Sequence, residues 1–281
     1  MTLIIVAGSE RGAGATTITV GVAHRLAYGG HTVHVARIEG DPRAEGDART
    51  LASLDFAESS GIPVALDALA AAASSPDITV AEAPAGADLG PLSAIATKLI
   101  VVASVGAGPG VVLNRQRLAA PGALPEDRLL AAPAVGDIAA ASHARVLARS
   151  AEGDAAVCEH ILIGAISHDS DQPYFARFAR KLVVTRAEKV DIALSALRTE
   201  TECLVLTGGA DPSPYLLDRV AAARTTTLLV APEGTVETVR DIEGLFGRSP
   251  FAGAAKVERI GALMADAFDD AALAALIAPR S

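Results

Sequence analysis

A strand, a glycine-rich loop and a helix open this chain, and that order constrains its fold more than any other feature. Residues 3–7 (Leu-Ile-Ile-Val-Ala) read as a buried strand, and residues 16–28 read as a helix stopped by Gly29 and Gly30. Between them runs Gly8-Ser-Glu-Arg-Gly-Ala-Gly-Ala-Thr-Thr17. In this context backbone N–H groups and a helix N-terminus can cradle phosphates. The usual ending, Gly-Lys-Thr, supplies a cation for phosphate oxygens and a hydroxyl for Mg²⁺. Here the ending is Gly14-Ala15-Thr16. The cradle and the hydroxyl are present in type, whereas the charge that stabilises a transferring phosphoryl group is missing.

The 51% hydrophobic content can fill a large core, and 281 residues allow one large domain or two smaller ones. Aromatic residues are only 3% of the chain, so platforms for stacking bases or sugars are scarce. A net charge of −9 opposes general affinity for DNA, RNA or anionic lipid. No apolar run reaches the roughly 18 residues of a membrane span. The expectation is a soluble cytoplasmic protein that binds neither nucleic acid nor membrane. Cys158 and Cys203 lie far apart in apolar surroundings and read as small core residues.

Strand and helix patterns alternate through the first half. Strands are expected at 32–38, 78–83 and 99–104, with helices at 47–56 and 91–97. Such alternation predicts a parallel sheet covered on both faces. Only residues 105–110 separate the fourth strand from Val111-Val-Leu-Asn114. A parallel crossover needs about a dozen residues, so these two segments are not expected to be adjacent parallel strands. Residues 135–151 read as a helix, and the domain boundary is placed between 151 and 152. The second half alternates again, with strands at 161–166, 181–185, 203–206 and 226–231. Helices are expected at 189–197, 214–224, 235–246 and 253–268. The fold class is α/β: a parallel-sheet domain over 1–151 and a smaller α/β domain over 152–281.

Several stretches together carry a family resemblance. In the first half they are 8–17, 33–47, Val80-Ala-Glu-Ala83, 111–114 and Leu124-Pro-Glu-Asp-Arg128. In the second they are Ile163-Gly-Ala-Ile-Ser167, 183–192, Leu206-Thr-Gly-Gly209 with Pro212, and Lys256. In that order the first half is similar to the dethiobiotin-synthetase-like P-loop domain at the front of long phosphate acetyltransferases. The second half resembles the DRTGG domain that follows it there and in free-standing relatives. The resemblance covers nearly the whole chain but leaves out the acetyltransferase catalytic domain. It departs from the family in three places. Ala15 stands for the lysine, residues 104–111 lack a helical connection, and Ala187-Glu-Lys-Val-Asp191 stands where the family begins its motif with glycine. Alanine reaches positive φ only at a cost that glycine avoids, so an altered turn is expected there.

The resemblance implies ATP or ADP with Mg²⁺ in a site built on Gly12, Ala13, Gly14, Ala15, Thr16 and Thr17. By position, Thr16, Asp47 and Glu82 fall on the metal ligands. Hard oxygen donors of this kind suit Mg²⁺, which uses few protein ligands plus substrate phosphates. Otherwise Asp47 caps its helix and Glu82 is solvated at a strand end. Arg37 and Arg11 are each suited to contact a phosphate, or are surface arginines. Asn114 matches a position that reads adenine, or is a turn-forming residue. In the second half Gly208 and Gly209 form an anion nest or a tight turn. Glu188, Lys189 and Asp191 are ligand contacts or a solvated helix start. His168-Asp-Ser-Asp171 reads as a polar loop without metal-ligand spacing. No nucleophile–base constellation stands out, so no catalytic residue is assigned.

Three functions fit these residues. The first is a non-catalytic nucleotide- or anion-binding regulatory protein, which the absent lysine favours. The second is an ATP-dependent ligase of the dethiobiotin or cobyrinate-amide type, favoured by Thr16, Asp47 and Glu82. The third is an assembly scaffold without a small ligand. The resemblance also implies a homo-oligomer, a dimer through the C-terminal domain.

Overall fold

A computed structural model describes residues 2–71, 77–103, 111–116, 123–164 and 174–279, the backbone alone for 71 and 111–116. In chain order the elements begin β1 (Thr2–Gly8), α1 (Ala15–Tyr28), β2 (Val33–Arg37), α2 (Ala44–Ala52), α3 (Leu66–Ala71), β3 (Ile78–Glu82) and α4 (Leu89–Ile95). Then come β4 (Lys98–Ala103), β5 (Val111–Gln116), β6 (Ala123–Pro125), α5 (Arg128–Ala131), α6 (Val135–Ala141) and β7 (Arg145–Ala148). β8 (His160–Ile163), β9 (Lys181–Arg186), α7 (Val190–Leu197), β10 (Thr201–Thr207), α8 (Pro214–Ala223) and β11 (Thr227–Val230) follow. The last helices are α9 (Thr235–Glu243), α10 (Ala254–Ala267) and α11 (Asp270–Ile277). The chain is a mixed α/β protein of two compact units, residues 1–130 with 254–281, and residues 131–253.

In the first unit six parallel strands lie in the order β2-β3-β1-β4-β5-β6. β1 is central, so its side chains are buried on both faces, which explains its unbroken apolar run. Leu3, Ile5 and Ala7 pack with Ala81, Ala83, Leu92 and Ala96 on one face. The chain passes from β1 to β2 on one side and later reaches β4 on the other. The carboxyl end of β1 is therefore the place where strand order reverses, the usual ligand position in open parallel sheets.

Parallel pairing of β5 with β4 corrects the expectation for residues 99–114, with Val101 opposite Val111 and Ala103 opposite Leu113. The register explains it. β5 starts opposite the second half of β4, so the chain retreats by about two residues, roughly 7 Å. Seven linking residues can span more than ~20 Å, and a long crossover is unnecessary. The linking residues 104–110 lie outside the described residues.

The boundary expected at 151/152 falls instead at 130/131, and the second unit ends at 253. Residues 254–281 return to the first unit, where α10 lies on α1. A Cβ on Gly21 of α1 would stand 2.6 Å from Met264 Cγ, and one on Gly261 of α10 2.5 Å from the His24 ring. Each helix thus offers a glycine to the other, permitting very close approach. Ile260, Leu263 and Met264 of α10 are buried.

The second sheet runs β7-β11-β10-β9-β8, with β7 antiparallel and the other pairs parallel. Alternate residues feed opposite faces. Val183, Leu204, Leu206 and Leu228 meet α7 and α8, while Leu182, Val184, Cys203 and Leu229 meet α6 and α9. Cys158 and Cys203 are both fully buried. The helix expected over 135–151 stops at Ala141. Ser142 Oγ donates back to Ile138 O at 2.6 Å, and His143 turns left-handed at φ 50°. The chain beyond it becomes β7, whose Arg145 lies opposite Val230.

Candidate functional site

The loop between β1 and α1 turns on two glycines. Gly12 has φ 84° and Gly14 has φ 95°, conformations that strain any residue with a Cβ. Gly14 is the N-cap of α1, and no side chain caps that helix. Ala13 N donates to Glu10 O at 3.2 Å, and Ser9 N to Val102 O at 2.8 Å, fixing the loop on β4. Among the described residues, the N–H groups of Gly12, Gly14, Ala15, Thr16 and Thr17 have no acceptor. The first turn of an α-helix leaves such donors over by geometry. These donors, with the positive end of the helix dipole, suit an anion.

Three carboxylates and one guanidinium lie beside this loop. Thr16 Oγ1 donates to Glu82 Oε1 at 2.8 Å, joining α1 to the end of β3. Arg37, at the end of β2, is 2% exposed. Its Nη2 donates to Asp41 at 2.5 Å, its Nε to Asp47 at 3.3 Å, and its Nη1 to Ile38 O at 2.5 Å. Nε also lies 3.9 Å from Glu82 Oε1. Arg37 stands opposite Glu82 in the β2–β3 register, which brings the pair together. Glu82 Oε2 is buried and has no hydrogen-bond partner among the described residues.

The electrostatics follow from burial. Glu82 is pushed up to about 7, because burial outweighs the opposing Arg37 charge and Thr16 hydrogen bond; Asp47 and Asp41 add to the rise. Burial also raises Asp47, against the pull of Arg37. At Asp41 burial again pushes upward, but hydrogen bonds from Arg37, Arg43 and Ala85 and the Arg37 charge outweigh it. Its carboxyl is held below the usual value.

The structure thus brings Thr16, Arg37, Asp47 and Glu82 together. Glu82 is buried at the strand end rather than solvated. Asp47 sits in the first turn of α2, after the Arg43 N-cap, and its side chain accepts from Arg37. Arg37 is a buried ion-pair member, whereas Arg11 is exposed on the loop. Asn114 lies in β5, with its side chain outside the described residues. Asp41 was missed by the sequence reading. Its signal is local: Asp41-Pro42-Arg43 follows a strand, and Asp41 Oδ1 accepts from Arg43 N at 2.8 Å in a turn. Among the described residues, no group of three His, Cys, Asp or Glu is arranged to hold a metal.

The second-unit candidates take structural places. Gly208 (φ 90°) and Gly209 (φ 69°) are left-handed, but their N–H groups donate to Glu233 O and Ala231 O at 2.8 and 2.9 Å. The pair therefore forms a tight turn, and its donors are not left over for an anion nest. Ala187 is not left-handed and is buried in the same core cluster as Ile192 and Leu206, so loss of glycine there strains nothing. Glu188 pairs with Arg186 at 2.7 Å on the surface. Lys189 is the N-cap of α7, and Asp191 lies in its first turn, favourable to the helix dipole. His168 to Asp171 lie outside the described residues.

Residues 137–245, inside the second unit, match the DRTGG domain family. A solved structure of the CBS and DRTGG domains of the regulatory region of Clostridium perfringens pyrophosphatase, complexed with its activator diadenosine tetraphosphate, is also similar. It shares 14% identity over 43% of this chain and 52% of that chain, with a TM-score of 0.36. This chain spans about half the length of that structure. Among the described residues, no helix is long and apolar enough to cross a membrane.

Proposed function

We propose that this is a non-catalytic, nucleotide- or anion-binding regulatory protein, with the ligand at the β1–α1 loop and a DRTGG domain as its second unit. The supporting observation is the loop itself. It keeps two left-handed glycines and an uncapped helix N-terminus while a methyl group stands at position 15. Backbone N–H groups can hold a ground-state anion without a lysine. Loss of the cation bears hardest on a transferring phosphoryl group, where such groups contribute several kcal/mol. The resemblance to the dethiobiotin-synthetase-like domain points to ATP or ADP as the anion. It also points to a homodimer through the second unit, as in the N-terminal part of phosphate acetyltransferases.

Mg²⁺ fits the residues present, because Thr16 Oγ1 and Glu82 offer hard oxygens and Glu82 Oε2 lacks a partner among the described residues. Those two residues would hold it, with Asp47 beside them. The ion would neutralise phosphate charge that no lysine meets. A second reading, an ATP-dependent ligase, draws on the convergence of Thr16, Asp47, Glu82 and Arg37 at one strand end.

Calorimetric titration with Mg²⁺–ATP, run beside a phosphate-release assay, tests these readings. Binding with negligible turnover is expected. Binding with turnover favours the ligase, and no binding of any nucleotide favours an assembly scaffold. Ala15→Lys is expected to tighten ATP binding by about tenfold, the equivalent of one charged hydrogen bond. An unchanged affinity would mean that the anion sits elsewhere.

A further inference from the structure

We infer that Asp41 makes the loop selective for metal-bound over metal-free nucleotide, an inference that rests on the nucleotide reading above. The geometry is one of charge. Arg37 is the buried cation beside the loop, and Asp41, Asp47 and Glu82 all face it. Each carboxylate comes from a different segment: the turn after β2, helix α2 and strand β3. Arg43 additionally acts on Asp47 from the N-terminus of α2. When all three are ionised, negative charge exceeds the guanidinium's by two. A polyphosphate entering without a cation meets that excess, and at position 15 it finds no lysine to offset it. A polyphosphate carrying Mg²⁺ brings two fewer negative charges and meets less of that repulsion.

Asp41 is the member that fixes this balance. It makes the shortest contact with Arg37, 2.5 Å against 3.3 Å for Asp47 and 3.9 Å for Glu82. It also accepts from the backbone N–H groups of Arg43 and Ala85, so it ties the turn after β2 to the segment after β3. Nearby, Gly40 at φ 130° passes Pro84 so closely that a Cβ would stand 3.0 Å away. Three donors favour the charged form of Asp41. Asp41 is thus a positioning and specificity residue. It holds Arg37 among acids and away from phosphate.

Asp41→Asn keeps the shape and an acceptor oxygen while removing one charge. Arg37 still has Ile38 O and Asp47 to hold it in place. The measurement is calorimetric affinity for ATP with excess Mg²⁺ and for ATP in EDTA, in both proteins. Asp41→Asn is expected to raise metal-free affinity about tenfold and Mg²⁺–ATP affinity by much less. A merely structural residue would weaken both together. Glu45→Gln, on the exposed side of α2, removes the same net charge and is expected to leave the ratio unchanged. If the wild type binds ATP but Asp41→Asn leaves the ratio unchanged, or Glu45→Gln shifts it equally, the inference is overturned while the nucleotide reading stands. If no variant binds ATP in either medium, the nucleotide reading fails and the inference with it.

Discussion

Replacing Arg37 with leucine is expected to lower the stability of the first unit by about 3–5 kcal/mol, the usual loss when one partner of a buried ion pair is removed. The guanidinium meets Asp41, Asp47 and Glu82, and is itself 2% exposed. Leucine fills part of the volume but leaves three carboxylates facing one another in a poorly hydrated space. Urea denaturation followed by far-UV circular dichroism reads the loss. The deficit should shrink toward pH 5, because Glu82, already pushed up to about 7 by burial, then protonates instead of repelling its neighbours. A loss below about 1 kcal/mol at pH 8 would mean that the cluster is solvated and does not organise the site.

The second large effect is a pH dependence centred on Glu82. Its ordinary value is 4.5 and its folded value is about 7. Between those limits the folded protein keeps a proton that the unfolded chain has released. Stability therefore falls as pH rises through that window. The contribution is absent below about pH 4.5 and reaches its full unfavourable size above about pH 7. A shift of this size corresponds to a penalty on the order of 3 kcal/mol. Glu82→Gln, which can still accept from Thr16, is expected to remove that slope and to be more stable than wild type at pH 8. Unfolding free energies at pH 4.5, 6 and 8 in both proteins provide the check. Equal slopes would show that Glu82 titrates normally and is hydrated. The penalty that Glu82 pays at neutral pH is consistent with a residue kept for a ligand rather than for stability.

Much of this architecture is legible in the sequence because its signals are local. The apolar run of β1, the glycines of the loop and the helix behind them sit within 28 residues of one another. The alternation of strands and helices in the second unit is equally direct. Other features depend on partners distant in the chain. Nothing near residue 254 announces that α10 returns to α1, because the reason is the pair Gly21 and Gly261 meeting side chains about 240 residues away. The strand β7 looked like more helix since no glycine or proline stops α6; His143 does so by adopting a left-handed backbone. The pairing of β5 with β4 was hidden by a rule that assumes a full-length return.

The site shows the same division. Thr16, Asp47, Glu82 and Arg37 could be nominated through the family resemblance, yet their shared geometry comes from the register of β2 on β3. Asp41 escaped notice because a carboxylate before proline reads as an ordinary turn former. Only the fold reveals that its other oxygen meets Arg37. In the second unit, Gly208 and Gly209 illustrate the opposite error. A glycine pair after a buried strand suggests an anion nest, but the neighbouring loop supplies the carbonyls that occupy both donors.

The central claim is that main-chain donors at the start of α1 hold an anion in the absence of the lysine. Amide resonances of ¹⁵N-labelled protein, followed while Mg²⁺–ATP is added, address those donors one by one. The largest shifts are expected on Gly12, Gly14, Ala15, Thr16 and Thr17. Saturating ATP that leaves those five amides unmoved, while the protein remains folded, would contradict the claim.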